Sequence, residues 1–68
     1  MYTKENVNKW LNEAISLKQT VITILGITDN EMVIDSSWNA WVEVETRLAK
    51  LGVHCFGKSI PDIEKMLL

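Results

Sequence analysis

From Asn6 to Leu25 the apolar residues Val7, Trp10, Leu11, Ala14, Ile15, Leu17, Val21, Ile22, Ile24 and Leu25 fall within an arc of about 180° at helical spacing. The opposite arc is wholly polar: Asn8, Lys9, Asn12, Glu13, Ser16, Gln19, Thr20 and Thr23. That division is the pattern of a helix with one face buried and one in water. A second stretch repeats it. Trp38, Trp41, Val42, Val44, Leu48, Ala49 and Leu51 share one arc, while Asn39, Glu43, Thr46, Arg47 and Lys50 lie outside it. Each apolar arc holds one charge, Lys18 in the first and Glu45 in the second.

Stop and start signals divide the chain. Gly26-Ile27 and Gly52-Val53 both suit a left-handed glycine cap followed by an apolar residue folding back. Thr28 and Glu31 are spaced as a capping box, which predicts a short helical turn over about 29–34. Asp35-Ser36-Ser37 supplies N-cap candidates for the tryptophan helix. Gly57-Lys58 reads as a turn, Ser59 as a cap, and Pro61 suits the first turn of a helix, with Ile60, Ile63, Met66 and Leu67 on its buried side. The β-branched run Thr20-Val21-Ile22-Thr23-Ile24-Leu25 also suits a strand, but no comparable strand exists to pair with it, so helix is favoured. The expected fold is all-α. It is a small bundle of two long helices (about 4–25 and 36–51), a short turn (about 29–34) and a short C-terminal helix (about 60–67), in one domain spanning 1–68.

A chain of 68 residues hides only about 60% of the surface its unfolded form exposes. Domains of this size commonly draw on disulfides, metals or oligomerisation. Cys55 is the only cysteine, so no intramolecular disulfide forms, and homo-oligomerisation is the expected supplement. The start Met1-Tyr2-Thr3-Lys4-Glu5-Asn6 lacks the basic and apolar regions of a secretion signal. The densest apolar segment, 21–27, is far shorter than the roughly 20 residues that span a bilayer. A soluble, cytoplasmic protein without membrane contact is expected. Seven Lys+Arg against nine Asp+Glu give a net charge of −2, and the basic residues are scattered, which argues against nucleic acid.

Chemistry is sparse. His54-Cys55 is the only pairing of familiar ligand or nucleophile types, yet zinc needs three or four protein ligands and neighbours in an extended segment point apart. A buried thiol beside a partly exposed histidine explains the pair. Asp35-Ser36-Ser37 is explained by capping rather than by a nucleophilic serine. Glu43 and Glu45, two positions apart, sit about 200° apart on a helix and are not an acid/base pair. No enzyme activity, cofactor or metal is expected.

Two half-apolar helices carry more apolar surface than a chain this short covers, and tryptophan is prominent among residues that dominate interface energetics. The expected partner or oligomer interface is therefore the helix face bearing Trp38, Trp41, Val42, Glu45 and Ala49, together with Lys18. If Lys18 and Glu45 are both buried they should pair, within the chain or across a symmetric interface; otherwise lysine lifts its amine to water. The expected function is that of a small module that binds a larger protein and modulates or inhibits it.

Leu25-Gly26-Ile27, Glu31-Met32 and Asp35-Ser36-Ser37-Trp38 together resemble the first loop of acyl carrier proteins, and Ser59 to Leu67 is similar to that family's last helix. The resemblance covers about a third of the chain and implies, as the alternative, an acyl-carrier-like helical domain. Carrier proteins continue through a further loop to the aspartate-serine-leucine motif that holds phosphopantetheine. Here the chain passes from Trp38 almost directly into helix, so Ser36 or Ser37 could serve only if that loop were deleted.

Overall fold

The computed structural model describes residues 3–68; Met1 and Tyr2, part of the amino-terminal segment read above, lie outside the described residues. Three helices follow in order: α1 (Lys4–Ile27), α2 (Glu31–Lys50) and α3 (Ile60–Glu64), with no strand among the described residues. The first two form an antiparallel hairpin joined by a three-residue link, and α3 packs against α1. The molecule is elongated, 39 × 21 × 17 Å.

α1 starts where Thr3 accepts the Asn6 amide on its side chain, one of the four amides a helix leaves unpaired at its start. It continues through the β-branched run 20–25, so the strand alternative fails. Burial of Val21 on the hairpin side outweighs the few tenths of a kcal/mol by which Val, Ile and Thr disfavour helix. Gly26 does not cap it. The helix runs two residues past the expected end, and extended Thr28, whose amide donates to the Ile24 carbonyl, is the C-cap.

The expected capping box and separate turn are also corrected. Asn30, not Thr28, is the N-cap of α2, its side-chain oxygen accepting from the Met32 and Val33 amides. Thr28 instead accepts the Asn30 amide, shaping the link. From Glu31 the helix runs unbroken to Lys50. The segment 29–34 and the tryptophan helix are therefore one element, and Asp35-Ser36-Ser37 lies inside it. No Gly or Pro occurs between 31 and 50, and each interior Asp or Ser costs only about 0.5 kcal/mol. Ser37 turns its hydroxyl back onto the Ile34 carbonyl, the usual accommodation of serine within a helix. Ser36 and Ser37 therefore lie within an unbroken helix rather than after a loop.

The second glycine stop holds as read. Gly52 has φ +83°, its amide donates to the Ala49 carbonyl, and the Val53 amide reaches Leu48. This is the paired-bond ending in which glycine adopts the left-handed conformation at little steric cost. A turn at Gly57, φ +77°, closes with the Lys58 amide on the Cys55 carbonyl. Ser59 caps α3 by accepting from Asp62, with Pro61 in the first turn. α3 ends at Glu64 rather than near 67; Met66 and Leu67 close tighter bonds to Ile63 and Glu64. The last residue is anchored on α1, where the Asn8 amide group donates to the Leu68 carbonyl and its oxygen accepts the Leu68 amide.

The core is Leu11, Ala14, Val44, Leu48, Cys55 and Ile63, with Val7, Trp10, Ile15, Leu17, Val53 and Met66 packed against it. All three helices contribute, so it sits at the end of the hairpin where the C-terminal segment returns. Val21 and Trp41 extend burial toward the turn. Beyond them only α1 and α2 remain, and two helices alone cannot enclose both their apolar arcs.

Candidate functional site

The two charges inside the apolar arcs have unequal fates. Glu45, near the middle of its arc, is 0% exposed, and both carboxylate oxygens lack a hydrogen-bond partner. Lys18 is half-buried, donates to the Lys58 carbonyl and lies 5.5 Å from the centroid of the Trp41 ring. That contact combines the cation–π attraction of an ammonium over indole with the escape of a long side chain toward polar company. Lys18 and Glu45 do not form an ion pair. Among the described residues the ion pair is Arg47–Glu43 at 2.8 Å, exposed and one turn apart on α2, a geometry worth only about 0.3–0.5 kcal/mol.

Burial pushes the Glu45 carboxyl above the ordinary carboxylate range, with the Cys55 thiol, the Lys18 charge and the Trp41 indole drawing it only part of the way back. None of these closes a hydrogen bond of normal geometry on it, and the Trp41 indole nitrogen is itself buried without a partner. An unpaired buried carboxylate is costly, so its neutral acid suits this pocket better than its anion. Cys55, 1% exposed, is pushed up to about 11, first by burial and then by the neighbouring Glu45. A thiol of that kind carries almost no thiolate at neutral pH and is a poor nucleophile. His54 beside it is exposed. No group of three or more His, Cys, Asp or Glu suited to a metal occurs among the described residues, and no described helix is long and apolar enough to cross a membrane.

The residues expected on one contact strip are therefore divided. Trp41, 8% exposed, and fully buried Glu45 belong to the interior of this chain and offer almost no surface in this conformation. Trp38 is 46% exposed and meets Trp41 edge to face, ring centroids 5.1 Å apart at 87°. Val42, Ala49 and Lys18 are partly buried. Helical rotation explains the split: Trp41 points at α1, while Trp38, about 60° away, lies toward the side where the C-terminal segment would have to cover it. That segment reaches Lys18 through Lys58 and Asn8 through Leu68, short of Trp38.

Apolar exposure concentrates at the hairpin turn. Ile22, Leu25, Ile27, Met32, Val33 and Trp38 are all exposed, Ile27 at 77% and Met32 at 83%. Rotation assigns Ile22 and Trp38 to the same side as the C-terminal segment. On the opposite side an open groove is lined by Ile24, Met32, Val33, Ser36, Ser37 and Ala40. The sequence reading missed this groove because it divided α2 at Asp35. Its signal was the four-residue spacing of Met32, Ser36 and Ala40 in a stretch free of Gly and Pro. Charge is segregated too. Between residues 19 and 46 there are five acids, Asp29, Glu31, Asp35, Glu43 and Glu45, and no Lys, Arg or His; all seven Lys+Arg lie outside that span.

The arrangement offers exposed apolar contact area within a span, 19–46, that carries acids and no basic residue. Comparison with family models, with curated proteins and with solved structures returned no match.

Proposed function

We propose that the chain is a small protein-binding module that modulates a larger partner, working as a homo-oligomer, with Trp38 in its partner contact. One observation carries this reading. Six large apolar side chains between residues 22 and 38 stand exposed at the end of the hairpin that the C-terminal segment leaves uncovered. Soluble proteins seldom leave so many large apolar side chains exposed at one end without a use for them, and Trp38 with Ile22 forms the part on the side of the C-terminal segment. Trp38 is already held by its edge against Trp41, so little side-chain freedom remains to be lost on binding, which favours affinity. The acids near the turn favour a partner whose apolar segment is flanked by basic residues.

The test is capture from the native host by cross-linking, run in parallel with wild-type protein and Trp38→Glu. The reading expects a protein recovered with wild type and lost with the variant, while the variant's circular dichroism stays helical. Recovery of the same proteins by both would refute the role of Trp38.

A further inference from the structure

We propose that the C-terminal segment 53–68 is a pH-sensitive strap, which lifts from the hairpin about Gly52 when the buried Glu45 side chain gives up its proton. The strap is held lightly. Along it only Cys55 and Ile63 are fully buried, and its helix α3 has five residues. Its polar ties to α1 include the Lys18 bond to the Lys58 carbonyl and the paired bonds between Asn8 and Leu68. α1 and α2, by contrast, share the most extensive contact in the molecule. Segments with few buried apolar contacts open at the lowest cost, so the strap opens before the hairpin does. Gly52, at φ +83°, gives the backbone a pivot there.

Glu45 lies where the strap meets α2, beside Cys55. Its oxygens are buried and unpartnered, so in the closed form a carboxylate has neither water nor an ion pair and the neutral acid is favoured. Lifting the strap admits water and frees Lys18 from the Lys58 carbonyl. Lys18 already sits over Trp41, one turn along α2 from Glu45, where the released ammonium can meet the anion. The groups acting on Glu45 are Lys18 from α1, Cys55 from the strap and uncharged Trp41 from α2 itself, with none from α3. Cys55, pushed up to about 11, keeps its proton through neutral pH. Glu43 and Arg47 lie about 200° round α2 from Glu45 and pair with each other. Because burial raises the carboxyl of the closed form, closing takes up a proton and opening releases it. Between the open and closed values, each added pH unit therefore raises the open share by up to about tenfold. The open form stays the minor one throughout, and pH sets its share. None of this depends on a partner at Trp38.

Labelling of Cys55 with dithiodipyridine from pH 5 to pH 8 tests this, each native rate being compared with the rate in denaturant at the same pH so that the thiol's own titration cancels. Protection should fall by at least about threefold across that range in wild type while remaining large. Low urea should hardly change it, whereas labelling through global unfolding would quicken by about fivefold per molar. Glu45→Gln keeps the shape and cannot ionise, so its protection should stay constant with pH. Should that variant not fold, Glu45→Met gives the same reading. Both variants retain His54, exposed beside Cys55, so a pH effect arising from the imidazole would persist in them. Wild-type protection that does not change with pH overturns the proposal. An equal fall in the variant, or labelling that follows urea as steeply as global unfolding, overturns it as well.

Discussion

Replacing Glu45 with methionine tests the account of the core. Glu45 is fully buried, its oxygens are unpartnered, and Lys18 is committed to the Lys58 carbonyl and the Trp41 ring. In the unfolded chain the carboxyl titrates near 4.5; in the folded chain its value is raised. The folded state thus holds its proton more tightly, and stability falls as pH climbs from the unfolded value through the folded one, levelling off above it. Methionine has similar length, adapts to irregular space and removes the charge. Exchanging a buried ionic group for an apolar residue of like volume is neutral to stabilising by about 1–4 kcal/mol. The high end applies here at pH 8, where the carboxylate has no ion pair to lose. For a domain this small, each kcal/mol shifts Tm by about 4–8 °C.

Thermal and urea unfolding of wild type and Glu45→Met from pH 4 to pH 8 give the measurement. The stability gap should be smallest at pH 4 and widen as pH rises and the unfolded carboxyl ionises. Lys18 from α1 and Cys55 from the loop are the other ionisable groups acting on this site, and Cys55, at about 11, does not titrate in that interval. A variant less stable than wild type at pH 8, or a gap independent of pH, would refute the reasoning.

Gly26 and Gly52 should respond oppositely to alanine. Gly26 is helical with nothing within 4 Å of an added Cβ, so Gly26→Ala should stabilise by up to about 1 kcal/mol; Gly52, at φ +83°, should lose about 1–2 kcal/mol, both read from urea midpoints. Asn30→Ala removes the acceptor for two amides and should cost about 1 kcal/mol, with Asn30→Asp retaining most of it. Thiol labelling at pH 8 should be slow for native Cys55 and fast in denaturant; rapid native labelling would contradict its burial.

What the residues disclosed follows from how local each signal is. Ser59, Pro61, Gly52 and Val53 act on amides and carbonyls within a few positions, so their effect was readable without the fold. Glu45 was conspicuous because it sits near the middle of an apolar arc, and it is buried there. Asp35-Ser36-Ser37 misled because capping residues are only mildly unfavourable inside a helix; with Asn30 already capping, nothing required a second start. Gly26 misled because glycine permits a left-handed cap without requiring one, and Thr28 ended the helix in extended form instead. The separation of Trp38 from Trp41 was not legible at all. It depends on how far the C-terminal segment reaches along the hairpin, which is a property of the packed chain.

The most direct measurement is amide hydrogen exchange followed by mass spectrometry at micromolar and at millimolar protein. The account predicts that raising the concentration slows exchange over residues 24–40, where the apolar surface is open, and leaves the already packed segment 53–66 unchanged. Slowing spread evenly along the chain, or none anywhere, would contradict it.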